Sequence, residues 1–298
     1  MKMLACLLSG LLMSGNVFAG GKGMTYDAQK FQDARAVAKE LVAGKLDTLK
    51  KFNVKKVVIA ECFGEFMESK EKADGFNGFA WQGGTAFKTT TKLGGDYYET
   101  IANAVYDSVA EAFKANGIEV ADKNTVVADE NYKALELKEE GKGGGFKKGG
   151  LTSRNTVTKT VKRSTTDMGL ISDIMNPFKM AKLKKLLPQI AKNNNAEAVL
   201  KIKFFVDQGK NFAPVLSSLD IAMDCNINEA NAGRGKVDYY FKNENVGLLG
   251  MKTALLIDAD VKVKKGPFDA DLYHKSLMTL IDSVIGVYKS ALQAALAQ

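Results

Sequence analysis

The chain contains one histidine, His274, and only four prolines and three cysteines among 298 residues. Histidine is the side chain most used for proton transfer near neutral pH and for binding zinc, so a single histidine excludes most chemistry of either kind. The sequence contains no C-x-x-C or H-x-x-x-H pair, and His274 would have to activate any serine or cysteine nucleophile alone. We therefore predict no catalytic residue, no metal ligand and no cofactor, and we assign His274 a structural role.

Long hydrophobic runs are also missing after the first residues. A membrane-spanning helix needs about 20 largely apolar residues, and no later segment has such a continuous run. Residues 1–19 have an early lysine, a short apolar stretch and the ending Val17-Phe18-Ala19, which is the order of a cleavable secretory signal peptide. Cys6 precedes most of the apolar stretch, so it does not fit a lipidation site. We expect a periplasmic or secreted protein that begins at Gly20, without a lipid anchor or transmembrane helix.

Two cysteines remain once the signal peptide is removed. Cys62 and Cys225 both lie in apolar, strand-like segments, in a compartment that permits disulfides. Neighbouring strands would allow a bridge between them, whereas free cysteines are among the most frequently buried side chains. The sequence leaves both states open.

Positive charge is concentrated in one segment. The formal net charge is +8, and residues 141–192 contain 12 lysines and arginines against only Asp167 and Asp173. Six glycines among residues 141–150 predict a flexible break, so we interpret residues 141–192 as a glycine-rich, basic insertion. The glycines do not form a phosphate loop, because Gly150 and Leu151 stand where that motif needs lysine and serine or threonine.

Apolar periodicity predicts an α/β fold with a mixed sheet, in which a parallel crossover unit precedes antiparallel strands and helices flank the sheet. An amphipathic helix over residues 25–52, within an N-terminal segment 20–53, precedes a single domain over residues 54–298. Asp96 and Glu99 form a capping-box pattern at the start of the central helix. The predicted strands are residues 54–62, 118–120, 125–127, 198–206, 219–227, 236–241 and 248–263. The other predicted helices are residues 96–116, 130–139, 177–192 and 269–296, and residues 63–93 form a long connection rich in glycine and aromatic residues.

Two groups of side chains are candidates for partner contacts. The first consists of aromatic residues in the long connection, since aromatic side chains often anchor partners: Phe76, Phe79 and Trp81. The second lies in the basic segment: Lys147, Lys148, Lys162 and Arg163. Basic side chains suit anionic partners, so we expect another envelope protein, an anionic envelope polymer or a lipid head group. We expect no nucleic acid, because the chain is exported and the basic segment has few stacking aromatics.

The order of elements resembles the periplasmic module of the curli secretion-channel (CsgG-like) family and the related TolB amino-terminal domains. The resemblance covers most of residues 54–298. It includes the early strand at residues 57–60, the helix at 96–116, the short strand at 118–120 and the strand entry Ala196-Glu197-Ala198-Val199-Leu200. Three features depart from the family: the mature start has no lipidation cysteine, Lys201 stands where the family often has glycine, and residues 228–233 lack its Thr-Gly turn.

Three hypotheses follow. The first is a non-enzymatic binding or assembly accessory protein of the cell envelope. The second, which the resemblance implies, is an oligomeric outer-membrane secretion or pore component, and a homo-oligomer is among the states that the sequence leaves open. The third is a carboxylate-dependent envelope enzyme that uses Glu61 and Glu65, because both lie at the carboxyl end of the first strand, where α/β sheets usually bind ligands.

Overall fold

The computed structural model describes residues 23–73, 85–91, 93–147, 155–172, 176–231, 237–262 and 267–297. The predicted signal peptide lies outside these residues. The strands are β1 (Met24–Thr25), β2 (Val42–Ala43), β3 (Lys56–Ala73), β4 (Thr85–Thr90), β5 (Glu119–Val120), β6 (Glu140–Lys147), β7 (Asn155–Ser164), β8 (Ala198–Gln208), β9 (Pro214–Asn231), β10 (Val237–Met251) and β11 (Leu255–Leu256). The helices are α1 (Ala34–Leu41), α2 (Asp47–Lys51), α3 (Gly95–Lys114), α4 (Lys123–Ala128), α5 (Glu130–Lys133), α6 (Pro177–Asn193) and α7 (Ala270–Ala297).

The described strands form one mixed sheet with the order β1-β11-β9-β8-β3-β7-β6. β3 runs parallel to β5 and to β8, and β1 runs parallel to β11. The other pairings between described strands are antiparallel, including β8 with β9 and β9 with β10. The structure thus confirms an α/β fold with a mixed sheet flanked by helices. It also confirms the crossover unit, which consists of β3, α3 and β5.

Helices cover both faces of the sheet at the beginning of β3. Residues 57–60 are all fully buried, as expected of a strand that is covered on both sides. On one face the ring of Phe66 stacks on Tyr98 of α3 at a centroid distance of 4.4 Å, and the Cys62 thiol donates to the carbonyl of Ala102 in α3. α7 packs beside α3 and against β9, while α6 contacts β3, β8 and β10. The core therefore lies on both sides of β3 and β8.

The closing helix α7 is 28 residues long, and its most apolar window has a mean hydropathy of 1.2, so by length and composition it is able to cross a membrane. Its apolar stripe, however, packs into the protein core. Leu277, Leu280, Val284 and Tyr288 are buried, and the Tyr288 hydroxyl donates to the carbonyl of Leu219 in β9. In this structure α7 is a core helix.

The prediction of one helix over residues 25–52 is wrong. Asp33 caps α1 by accepting a hydrogen bond from the backbone N–H of Ala36 at 3.0 Å, and α1 ends at Leu41. Val42 and Ala43 then adopt extended backbone and pair with the end of β10, before α2 begins. The side-chain pattern favours a helix, but these two residues form backbone hydrogen bonds with β10 and therefore adopt strand structure.

Further local predictions are also wrong. Residues 125–127 belong to helix α4, whose cap is the Asp122 carboxylate bound to the Thr125 N–H, and the predicted helix over 130–139 shortens to α5. α3 begins after Gly94, whose φ of 85° is one that glycine adopts readily, so Asp96 and Glu99 do not form a capping box. β10 ends at Met251 and β11 has only two residues, so the predicted strand over 248–263 is not continuous.

The hydrogen bond between α7 and β9 gives a first prediction. Tyr288→Phe removes the hydroxyl from a fully buried site and leaves the Leu219 carbonyl without this donor. We expect the free energy of unfolding to fall by about 1–2 kcal/mol, measured by denaturant titration. Tyr240→Phe is the matched control, because Tyr240 is 44% exposed; a loss of stability no larger than that of the control would contradict the assignment.

Candidate functional site

β3 continues beyond the core as the centre of a four-stranded extension. Its buried side chains end at Met67, and residues 69–73 pair with β7 on one edge and with β4 on the other. β6 adds to the outer side of β7, so the local order is β4-β3-β7-β6. We call β4, β6, β7 and the part of β3 beyond Met67 the ribbon. The predicted long connection over residues 63–93 therefore consists partly of strands.

β6 forms an open edge of the ribbon, because within the described part of the chain it pairs only with β7. The Ser164 N–H donates to the Glu139 carbonyl at 3.1 Å, so residues 139 and 164 face each other as a hydrogen-bonded pair. Antiparallel ladders alternate hydrogen-bonded and non-hydrogen-bonded pairs. The backbone N–H and C=O groups of Lys142 and Gly144 consequently point away from β7, toward the free edge.

Glycines in β6 have a structural reason. A Cβ atom on Gly143 would lie 2.7 Å from Thr160 Oγ1 and 2.8 Å from Glu65 Oε1, and those two atoms form a hydrogen bond of 2.6 Å. Gly144 has a φ of +120°, and a Cβ there would lie 2.3 Å from the carbonyl oxygen of Thr158. The glycine run is thus a strand that approaches its neighbours closely. The flexible break predicted over residues 141–150 is therefore wrong for residues 141–147, and residues 148–150 lie outside the described residues. The result is an exposed edge almost without side-chain bulk from residue 143 to 145.

Arg163, one of the predicted partner contacts, is held inside the protein. Its guanidinium lies 3.2 Å from Glu99 of α3 and 3.2 Å from Glu140 of β6. The hydroxyl of Thr166 donates to the other carboxylate oxygen of Glu99 at 2.5 Å, and Asn103 bonds both the hydroxyl and the backbone N–H of Thr166. With a side chain that is only 17% exposed, Arg163 ties the base of the ribbon to α3. These contacts indicate that Arg163 stabilises the attachment of the ribbon to α3 and is not an exposed partner contact.

The other predicted contacts are distributed unevenly. Lys162 lies in β7 opposite Glu65 of β3, and Lys147 is the last residue of β6, so both belong to the ribbon. Lys148 and the aromatic residues Phe76, Phe79 and Trp81 lie outside the described residues. The basic segment and the first strand, which are far apart in the sequence, are therefore neighbours in the ribbon.

Glu61 is a fully buried carboxylate that anchors a backbone segment. Its Oε1 accepts hydrogen bonds from the backbone N–H groups of Ile171 at 2.5 Å and Ser172 at 2.9 Å, and its Oε2 accepts one from the Ser172 hydroxyl at 3.1 Å. Burial raises the pKa of Glu61 above its ordinary value, although these donors and the nearby charge of Lys201 act in the opposite direction. Lys201 itself is paired with Asp224 at 2.8 Å.

The two glutamates of the enzyme hypothesis do not form an acid pair. Glu61 and Glu65 point to the same face but are four residues apart along β3, a separation of about 13 Å between their Cα atoms. Each carboxylate is instead bound by its own set of hydrogen-bond donors. Glu61 is occupied by Ile171 and Ser172, and Glu65 accepts a hydrogen bond from Thr160. The geometry favours a structural role for both.

The two cysteines are free and buried. Cys62 lies opposite Ile202 of β8, whereas Cys225 lies opposite Ala198 on the other edge of β8. β8 therefore separates the two thiols, and four residues along that strand add a further offset of about 13 Å. A disulfide requires Cα atoms within about 7 Å, so this arrangement excludes the bridge that the sequence left open.

Neither metal ligands nor a deep cavity appear among the described residues. No three His, Cys, Asp or Glu side chains in that part of the chain come together as a metal site. The ring of His274 packs edge-on against Tyr97 at 5.5 Å. An open groove of ≈ 420 Å³ runs between α3 and α7, with Asp107, Glu111 and Asp282 along it. The ribbon edge is a more distinctive feature than this shallow groove.

Glu61 gives a prediction that separates anchoring from catalysis. In Glu61→Gln the amide oxygen can still accept the two N–H bonds and the amide N–H₂ can donate to the Ser172 hydroxyl, so we expect stability within about 1 kcal/mol of the wild type. Glu61→Leu leaves the buried Ile171 N–H and the part-buried Ser172 N–H without this acceptor and should cost roughly 2–4 kcal/mol. Denaturant titration of both variants checks this, and equal losses in the two would contradict the anchoring role.

The same residue predicts a pH dependence. Because the folded-state pKa of Glu61 lies above its unfolded value of 4.5, the folded protein retains this proton at a pH where the unfolded chain has lost it. The stability contributed by Glu61 is therefore complete below the unfolded pKa and decreases as the pH rises through the folded pKa. The free energy of unfolding of Glu61→Gln should rise relative to the wild type over that interval; parallel pH profiles would rule out the effect.

Arg163 gives a further prediction. Arg163→Met removes both ion pairs and should lower the free energy of unfolding by roughly 1–3 kcal/mol. Lys159→Gln, which changes an exposed lysine on the same strand, should remain within about 0.5 kcal/mol of the wild type. Thermal and denaturant unfolding compare the two, and an Arg163 variant as stable as the Lys159 variant would show that the pairing contributes nothing.

We compared the chain with family models, with curated proteins and with solved structures, and none of these comparisons gives a match.

Proposed function

We propose that the protein is an exported, non-enzymatic binding or assembly protein of the cell envelope that holds a protein partner at the open edge of β6. The observation that carries the proposal is the exposed edge strand, whose outward backbone groups lie at Lys142 and Gly144. Export rests on the signal-peptide pattern of residues 1–19. The binding site rests on the ribbon.

An open strand edge is a ready template for an added strand. Its unpaired N–H and C=O groups bind an extended segment of another chain through main-chain hydrogen bonds. In β6 the glycines at 143 to 145 are exposed, so no side chain obstructs the approach of a partner backbone. This combination supports recognition by strand addition more than recognition through a pocket.

The ribbon is also attached rigidly to the core of the protein, which favours binding. Arg163 fixes its base to α3 through Glu99, and β3 continues from the ribbon into the fully buried part of the sheet. A binding strand held on a rigid scaffold loses little conformational entropy when its partner arrives. Exposed lysines beside the edge, such as Lys142 and Lys159, favour an acidic partner segment.

Substitutions at Lys142 test the proposal. Lys142→Pro removes the outward N–H, and proline is tolerated on an edge strand where that group faces solvent. Lys142→Gln removes the same charge but keeps the N–H, so it is the matched control. We expect cross-linking in intact cells, followed by mass spectrometry, to recover one set of partners with the wild type and with Lys142→Gln and to lose it with Lys142→Pro.

Circular dichroism must show that both variants remain folded. An identical set of cross-linked proteins in all three forms would contradict binding at the β6 edge. If Lys142→Gln lost capture as completely as Lys142→Pro does, the lysine charge would be the determinant and strand addition would be wrong.

A further inference from the structure

The first residues of α6 are all exposed, and large apolar side chains are among them. Phe178 is 86% exposed and Met180 is 41% exposed, whereas the first buried residue of the helix is Leu183. We call residues 177–182 the α6 tip. Single exposed apolar residues are common, but an aromatic ring almost entirely in water is unusual among the described side chains: the next most exposed large hydrophobic is Tyr240 at 44%.

Helical geometry places Phe178 on the solvent side. At 3.6 residues per turn, Phe178 lies nearly opposite the stripe formed by Leu183 and Leu187, which is buried in the core. Lys182 and Lys185 follow it at spacings of four and seven residues, on the same face. Phe178 therefore does not belong to the core stripe, and lysines border it.

Two lysines near Phe178 are weakly paired or unpaired, whereas Lys185 pairs with Asp238 at 3.2 Å. Lys179 has no ion-pair partner within the described ranges, and Lys182 Nζ lies 3.7 Å from a carboxylate oxygen of Glu136, with both side chains largely exposed. Exposed pairs at this distance contribute little and exchange readily with other anions. The α6 tip thus presents an aromatic ring together with available positive charge.

We propose that the α6 tip is a membrane-surface anchor that binds anionic phospholipid head groups, with Phe178 inserted at the head-group boundary and Lys179 and Lys182 on the phosphates. Aromatic side chains and lysines on one amphipathic helix are the combination that holds a helix on an anionic bilayer surface. A soluble anion would use the lysines alone and would leave Phe178 in water. This proposal is independent of the β6 edge, which uses other residues.

Vesicle co-sedimentation of the mature chain tests the anchor. The vesicles are phosphatidylcholine alone, or phosphatidylcholine with about one third phosphatidylglycerol. We expect binding only to the anionic vesicles, with a partition coefficient that falls about fivefold for each of Lys179→Gln and Lys182→Gln and about tenfold or more for Phe178→Ser. Added salt should weaken binding.

Control variants change exposed lysines and an exposed aromatic ring elsewhere. Lys39→Gln with Lys50→Gln removes two exposed lysines from α1 and α2, and Tyr240→Ser removes the exposed ring on β10; these variants should bind anionic vesicles as the wild type does. Lys142→Pro should also bind normally, so a failure of the β6 proposal would not affect this one.

Three outcomes would overturn the proposal: no binding to anionic vesicles, equal binding to neutral and anionic vesicles, or unchanged binding of folded Phe178→Ser. If the lysine variants lost binding while Phe178→Ser retained it, the tip would be an anion site that does not insert into a bilayer.

Discussion

The pairing of β3 with β8 on one edge and with β7 on the other is the constraint on which the rest of the structure depends. β8 covers the first half of β3 from Val57 to Phe66, and β7 covers the second half from Phe63 to Ala73. The two ladders overlap for only a few residues. One continuous strand therefore joins a core covered by helices to the ribbon.

Irregularities in the two β3 ladders change the direction in which the following β3 side chains point. Register shifts between Ile59 and Glu61 against β8, and between Met67 and Ser69 against β7, mark β-bulges, which re-aim the side chains that follow. After the first bulge, Glu61 points toward the segment at Ile171 and Ser172, while Cys62 points toward α3. The buried carboxylate of Glu61 and the buried thiol of Cys62 thus form hydrogen bonds on opposite faces of the sheet.

Local sequence patterns correctly predicted the elements whose structure depends on residues nearby in the chain. They failed for segments whose structure depends on contacts with residues far away in the chain. The apolar stripe of α3 and the continuous run at residues 57–60 predicted the crossover unit correctly. The glycines of β6 gave the signal of a loop, because the reason for them, close approach to Thr160 and Glu65, exists only after folding. Val42 and Ala43 fit a helical pattern in the sequence, but in the structure they pair with β10 as a strand. For the site, the sequence named Lys147 and Lys162 as candidate contacts but did not predict the strands that hold them. The ion pair of Arg163 with Glu99 and the hydrogen bond of Glu61 with Ser172 join residues that are 64 and 111 positions apart, which no spacing rule could identify.

We propose that β6 is the place where this protein binds a partner chain, with Arg163 and β3 holding that strand in position. Amide hydrogen exchange resolved to single residues tests this most directly. In the free protein the amides of Lys142 and Gly144 should exchange fast, while those of Gly143 and Gly145, directed toward β7, are protected. In the complex isolated from cells, Lys142 and Gly144 should become protected as well; exchange at these two amides that is unchanged by the partner would contradict strand addition at the β6 edge.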